Sequence, residues 1–258
     1  MSPKPKIAAL LYHDVSDHPF ESGFQRASAY SYKHTRKVFS QHLERISNCG
    51  TAPEIVTQID FRRSARHLLL TFDDGGKGAL HVSEQLNRFG WKCHFFITTS
   101  LIGTRTFLDK DDIRHLRRCG HIVGSHSHTH PDIFRALSFA DMIREWRTSC
   151  DVLGGLLGEQ CLVASVPGGD ASQKVFESAA AAGLQYLFTS DPSPVPRSVN
   201  GCWIIGRVCA KAGTRLEQVE RFAQCKGWAK ELMVVRIKTM LKATFSSLYR
   251  AYVERALR

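Results

Sequence analysis

Nowhere in the 258 residues does an apolar run approach the roughly 18 residues of a spanning helix, so the chain is not expected to cross a membrane by itself. The eight cysteines (Cys49, Cys93, Cys119, Cys150, Cys161, Cys202, Cys209 and Cys225) form no CxxC pair and no zinc-knuckle or disulfide-framework spacing. That is the pattern of reduced thiols in a cytosolic protein. The short run Ile7 to Tyr12 follows Lys4 and Lys6 but ends in His13-Asp14 without a small-residue cleavage site, so no signal peptide is expected. Acidic residues are the scarcer charge, 24 against 35 lysines and arginines, and the formal net charge of +11 favours anionic partners or surfaces. Zinc-finger spacing, an RNP-like aromatic motif and a helix-turn-helix pattern are all missing, so nucleic acid is not an expected partner. There is no internal repeat or low-complexity tract. What is present, 43% hydrophobic and 23% charged residues, is the balance of an ordinary globular protein, and one large α/β domain accommodates this length.

Short apolar, β-branched or aromatic runs at Ile7 to Tyr12, Leu68 to Phe72, Cys93 to Thr98, His121 to Gly124, Leu162 to Val166 and Tyr186 to Thr189 predict strands. Helical spacing fills the intervals at Asp111 to Cys119, at Ser138 to Leu153 with Ser138 as N-cap, and at Val175 to Ala182, closed by Gly183. Strands alternating with helices predict a mainly parallel sheet covered by helices. The unusual residues fall just after the strands, where α/β folds build their sites: Asp73 and Asp74, then His126 to His130, then Pro167 to Asp170.

LLLTFDDG at Leu68 to Gly75 delivers two adjacent carboxylates from a buried strand into a turn. Two such charges repel unless a cation or a proton separates their roles. Taken alone, the segment is equally a solvated Asp-Gly turn. GSHSHTHP at Gly124 to Pro131 places three histidines within five residues. A helical turn puts His126 and His130 on one face and an extended backbone puts all three there, so either geometry keeps His126 with His130. Coincidence with the Asp pair favours metal ligation over a surface His-rich loop, with Asp74, His126 and His130 leaving positions open for water and substrate.

At these residues the chain resembles the polysaccharide deacetylase family, the NodB-homology family of carbohydrate esterases. Thr71 to Gly75 looks like its first motif and His126-Ser-His-Thr-His130 its second. Cys119-Gly120-His121, IVGSH, HPD, Leu137-Ser138 and SVPGG at Ser165 to Gly169 agree in order. The resemblance spans roughly Leu68 to Thr189. It implies a deformed (β/α) barrel, a divalent metal, most often Zn2+, and removal of acetyl groups from an acetylated glycan. Carried over by position, it makes Asp73 the general base, Asp74, His126 and His130 the metal ligands, and Ser127 a loop-orienting residue, with His128 not a ligand. Backbone N–H groups around Pro167 and Gly168 would then hold the oxyanion.

The chain departs from the family pattern in two places. Ser165 stands where an arginine often orients the catalytic aspartate, and Arg207 in IIGRV is the conjectured substitute. No histidine follows His130 to act as general acid, so His13 in Leu11-Tyr-His-Asp-Val15 is the candidate, its alternative being a structural histidine. Two rival functions use the same residues: hydrolysis of another amide or an O-acetyl ester, and a silent carbohydrate-binding homologue. From Lys230 onward seven basic residues face two acidic ones, and Val234, Ile237, Leu241, Phe245, Leu248 and Tyr252 recur at helical spacing. The chain therefore divides into a catalytic domain over residues 1–229 and a basic amphipathic helical tail over 230–258. The tail either packs on the domain or makes a peripheral contact with a membrane or a membrane-bound glycosyltransferase, which places the enzyme in the cytoplasm at the inner face of the membrane.

Overall fold

A computed structural model describes residues 4–169 and 171–234. Its strands are β1 Lys6–Tyr12, β2 Asp14–Val15, β3 Lys33–His34, β4 Arg66–Phe72, β5 His94–Ile97, β6 Ile122–Ser125, β7 Val163–Ser165, β8 Tyr186–Phe188, β9 Arg197–Val199, β10 Cys202–Ile205 and β11 Val208–Cys209. Its helices are α1 Arg36–Ser47, α2 Gly78–Arg88, α3 Lys110–Arg118, α4 Phe139–Leu157, α5 Gln173–Ala181 and α6 Leu216–Ala223. Nine strands form one curled sheet in the order β11-β1-β4-β5-β6-β7-β8-β10-β9, parallel throughout except for the β9–β10 pair. This is the half-barrel version of the expected deformed (β/α) barrel.

Alternation along the strands explains why they appear as unbroken apolar runs. Ala8, Leu10 and Tyr12 of β1 and Leu68, Leu70 and Phe72 of β4 pack outward against the helices, while Ile7, Ala9 and Leu69 join Phe96, Val163, Phe188 and Ile205 inside the curl. Burying each leucine, isoleucine, valine or phenylalanine among them contributes about 1.5–3 kcal/mol. Thr71 and Asp73 continue the inward row begun by Leu69, so the strand that fills the interior also lifts Asp73 to its mouth. Gly124 in β6 has to be glycine: a Cβ there would lie 2.5 Å from the Val163 carbonyl and 2.9 Å from the Phe96 ring.

The predicted helices start where their caps lie. Asp109 and Asp112 form a reciprocal capping box on α3, and Ser138 accepts the Asp141 N–H at the start of α4. α4 runs past Leu153 to Leu157 before Gly158 ends it at φ 71°. α1 buries Phe39, His42, Leu43 and Ile46 at helical spacing and packs beside α6. Among the described residues no helix is long and apolar enough to cross a membrane. Of the predicted tail, residues 235–258 lie outside the described residues.

Candidate active site

Asp73 directly follows β4, and its N–H extends the ladder to the Tyr12 carbonyl. The residue is 4% exposed, yet its side chain keeps its charge because Arg207, fully buried, grips it with both nitrogens: Nη1 to Oδ1 at 2.7 Å and Nη2 to Oδ2 at 2.8 Å. The fork is held in turn. Nε donates to the Thr189 carbonyl, Nη1 also to Thr71 Oγ1, and Nη2 also to Ser165 Oγ, whose hydroxyl donates to Asp73 Oδ2 at 3.1 Å. Phe96 and Phe188 flank the guanidinium. Burial pushes the Asp73 carboxyl up, but the Arg207 charge and then the His126 charge outweigh it and hold the group below its ordinary value.

Asp74, His126 and His130 each present one ligand atom, all within 4.8 Å of one another. Asp74 Oδ1 lies 3.4 Å from His126 Nε2 and 3.7 Å from His130 Nε2. The backbone is bent to bring them there: Asp74 at φ 77°, Ser127 at 63° and His130 at 55° are three of the five non-glycine residues with positive φ among those described. The histidine loop is neither helical nor extended. Ser125 Oγ accepts the Ser127 N–H, Ser127 Oγ accepts the His130 N–H, and Glu145 of α4 accepts the N–H groups of His128 and Thr129 and the Thr129 hydroxyl.

These residues fit a metal. His126 Nδ1 lies 3.1 Å from the Ser165 carbonyl, which only accepts, so Nδ1 carries the hydrogen and Nε2 of the neutral ring turns a lone pair toward the Asp74 carboxylate. Two acceptors face each other, and a cation resolves that. Burial pushes the His126 imidazole down, but the Asp73 and Asp74 charges override it and raise the group, the pull that the same carboxylates would exert on a cation. Asp74 moves the opposite way, held far below its ordinary range against its burial by the His126 hydrogen bond and the neighbouring imidazoles. Burial, then the His126 charge, lower His130 to about 4. One carboxylate and two imidazoles, with room left around them, is the donor set of a catalytic zinc site.

A cavity of about 430 Å³ brings His13, Asp73, Asp74, His126 and His130 together under Phe24, Arg26 and Tyr32. His13 follows β1 directly, rests on Tyr32 with ring centroids 4.6 Å apart, and leaves Nδ1 without a hydrogen-bond partner. Burial lowers its pKa, and the Asp74 and Asp73 charges partly oppose that shift. Gly168 and Gly169 line the wall, whereas Pro167 is buried behind it and, lacking an N–H, is no oxyanion donor. Of the expected pair only Gly168 can donate. His128 bonds Thr99 Oγ1 and lines a separate depression beside α4, outside the ligand group.

Sequence reasoning missed Ser165 and Glu145. Ser165 stood out only as a departure, yet its hydroxyl links Arg207 to Asp73 and its carbonyl orients His126. Glu145 sits on a helix face with no pattern to distinguish it from a solvated charge.

Residues 61–187 match the model of the polysaccharide deacetylase family. This segment belongs to that family. The deacetylase segment ends short of both His13 and Arg207, which join it only through the fold. Among solved structures, the chain is similar to the Streptococcus pyogenes deacetylase PplD in complex with acetate, at 18% identity and a TM-score of 0.69, covering 85% of this chain and 98% of that one. It is also similar to IcaB from Ammonifex degensii, at 18% identity and 0.68, covering 86% and 98%. A de-N-acetylase from Aggregatibacter actinomycetemcomitans matches at 14% identity and 0.70, covering 84% and 99%. At these identities the likeness is one of fold. No curated protein matches the chain.

Proposed function

We propose that this chain is a metal-dependent hydrolase that removes acetyl groups from N-acetylated sugars of an oligo- or polysaccharide, in the making of an exopolysaccharide or cell-envelope glycan. The observation that carries the reading is an ionised, arginine-gripped Asp73 sharing one cavity with the Asp74, His126 and His130 donor set. A divalent cation held by those three residues, zinc by the chemistry of the donors, supplies charge that polarises an acetyl carbonyl and acidifies a water. Asp73 accepts the proton of the attacking water. Because Arg207 keeps this carboxylate a weak base, it takes that proton only from an acidified water. Gly168, at the cavity wall, supplies its N–H to the developing oxyanion. The sugar amine needs a proton to leave, and His13, facing the same cavity, delivers it from its imidazolium form; the ring then regains the proton that Asp73 took from the water.

An O-acetyl ester would suit the same geometry, so the test sets the two against each other. Acetate release from N-acetylglucosamine oligomers and from O-acetyl xylan is measured after chelation and after reloading with zinc. Metal-dependent release from the N-acetylated sugar supports the proposal; release from the ester alone moves the enzyme to O-deacetylation. Bound sugar without turnover makes it a silent homologue.

We also propose that the enzyme works at the cytoplasmic face of a membrane, with the basic 230–258 tail against anionic lipid or a membrane-bound glycosyltransferase; only the tail's charge and apolar spacing support this. Flotation with anionic vesicles tests it. Salt-sensitive binding that is lost with the tail agrees, and an intact chain that ignores vesicles refutes it.

A further inference from the structure

Between β1 and α1 the chain makes two short 3-10 turns, Pro19–Glu21 and Ala27–Tyr32, the second of which gives Ser28, Ala29 and Tyr32 to the cavity wall. Phe20 in the first turn is 67% exposed, the most exposed aromatic side chain among the described residues. A single exposed phenyl on a loose loop would need no explanation, but this turn is pinned from beneath. The Lys33 ammonium, 9% exposed as a residue, donates to the carbonyls of Pro19 at 2.5 Å and Ser22 at 2.7 Å. The Gln25 amide donates to the carbonyls of Pro19, Ser22 and Gly23. Ser22 Oγ donates to Asp14 and accepts the Gly78 N–H, tying the turn to β2 and the start of α2.

Tyr30 meets Phe20 edge-on, with ring centroids 5.8 Å apart and planes at 65°, and lies under the Lys33 ammonium at 5.2 Å. The two rings thus form a fixed aromatic corner. The same segment supplies Gly23, Phe24, Arg26, Ser28, Ala29 and Tyr32 to the cavity wall. Tyr30 follows Ala29 directly, so its Cα is only about 3.8 Å from that of a wall residue.

We propose that Phe20 and Tyr30 are a stacking platform for a second pyranose ring of the acetylated glycan, next to the ring whose acetyl group enters the cavity; this rests on the glycan reading above. A pyranose offers a face of C–H groups that suits the negative face of an aromatic ring, and the Tyr30 hydroxyl adds a polar handle at its edge. A neutral glycan gives the chain's excess positive charge nothing to grip, so rigid aromatic faces are the means of holding it. The platform makes the enzyme prefer oligomers to single sugars.

The test compares kcat/KM on N-acetylglucosamine and on its linear tetramer. Phe20→Ala lowers the tetramer-to-monomer ratio roughly tenfold, the scale of one lost aromatic contact, and Phe20→Trp keeps it. An unchanged ratio in Phe20→Ala overturns the platform. So does loss of anionic-vesicle binding with the ratio unchanged, which would make Phe20 a lipid contact. Calorimetry on Asp73→Asn protein separates this proposal from the reaction. If wild type releases no acetate but the tetramer binds and Phe20→Ala weakens it, the platform stands and the deacetylation reading falls. If the tetramer does not bind, the platform falls.

Discussion

Asp73 is the proposed base, and its surroundings oppose its protonation, so its neighbours can be tested through pH as well as through rate. Arg207→Gln removes the charge that offsets burial, and the Asp73 pKa rises. Activity needs the ionised carboxylate, so the acidic limb of the kcat/KM profile moves to higher pH; a limb that stays put would show that Arg207 does not tune the base. Asp73→Asn should cut turnover by roughly a hundredfold or more while keeping its zinc, and should also lower the melting temperature because Arg207 is left as a buried unpaired charge. Asp74→Ala loses the metal instead, as metal analysis of both variants would reveal. His13→Ala, with metal content unchanged, should slow turnover on a similar scale; unaltered turnover with lower stability would make His13 structural. Asp73, Asp74, His126 and His130 were legible in the sequence because each pair lies within five residues and brings its chemistry with it. Arg207 could only be conjectured, since its partner is 134 positions away and the sheet alone joins them.

At the scale of elements, strands buried on both faces announce themselves as apolar runs, and α3 and α4 by their caps. α1 was hidden because one of its four buried positions is His42, and β9 because Arg197 and Ser198, two of its three residues, are exposed and polar. The conformation of the histidine loop was equally hidden. It depends on Glu145, one helix away, which accepts two backbone N–H groups of a loop held in positive-φ conformations. Glu145→Ala orphans those donors, at a cost of about 1–3 kcal/mol each where water cannot replace the carboxylate. It also lets His126 and His130 drift. Zinc affinity measured by chelator competition should fall about 10- to 100-fold, the usual loss when an outer partner of a metal site is removed, with Glu145→Gln recovering part of it. Wild-type affinity in Glu145→Ala would mean that the strained loop holds itself.

For the whole molecule, packing histidines inside an apolar sandwich sets a limit on acid tolerance. His34, His42, His94 and His121 are each at most 1% exposed, and burial is the largest cause of a pKa lowered to about 4 in all four. None of them is a proposed metal ligand. Between the unfolded value near 6.5 and the folded value near 4, the unfolded chain binds protons that the folded chain refuses. Stability contributed by these neutral rings is therefore fully present above about pH 6.5 and lost as pH falls through that window, by up to about 1.4 kcal/mol per pH unit for each group. Carboxylates held low, such as Asp73 and Asp74, add their loss only below the ordinary carboxylate range near pH 4. Urea unfolding at pH 7.5, 6 and 5 should accordingly show a midpoint that drops steeply before the carboxylates held low titrate. Replacing His42, whose Nδ1 meets the Tyr12 hydroxyl at 3.2 Å, by Gln keeps a polar partner but removes one titrating ring. The slope should flatten by about one proton in that variant. A midpoint that is level from pH 7.5 to 5 would mean that the buried rings are hydrated enough to charge in place.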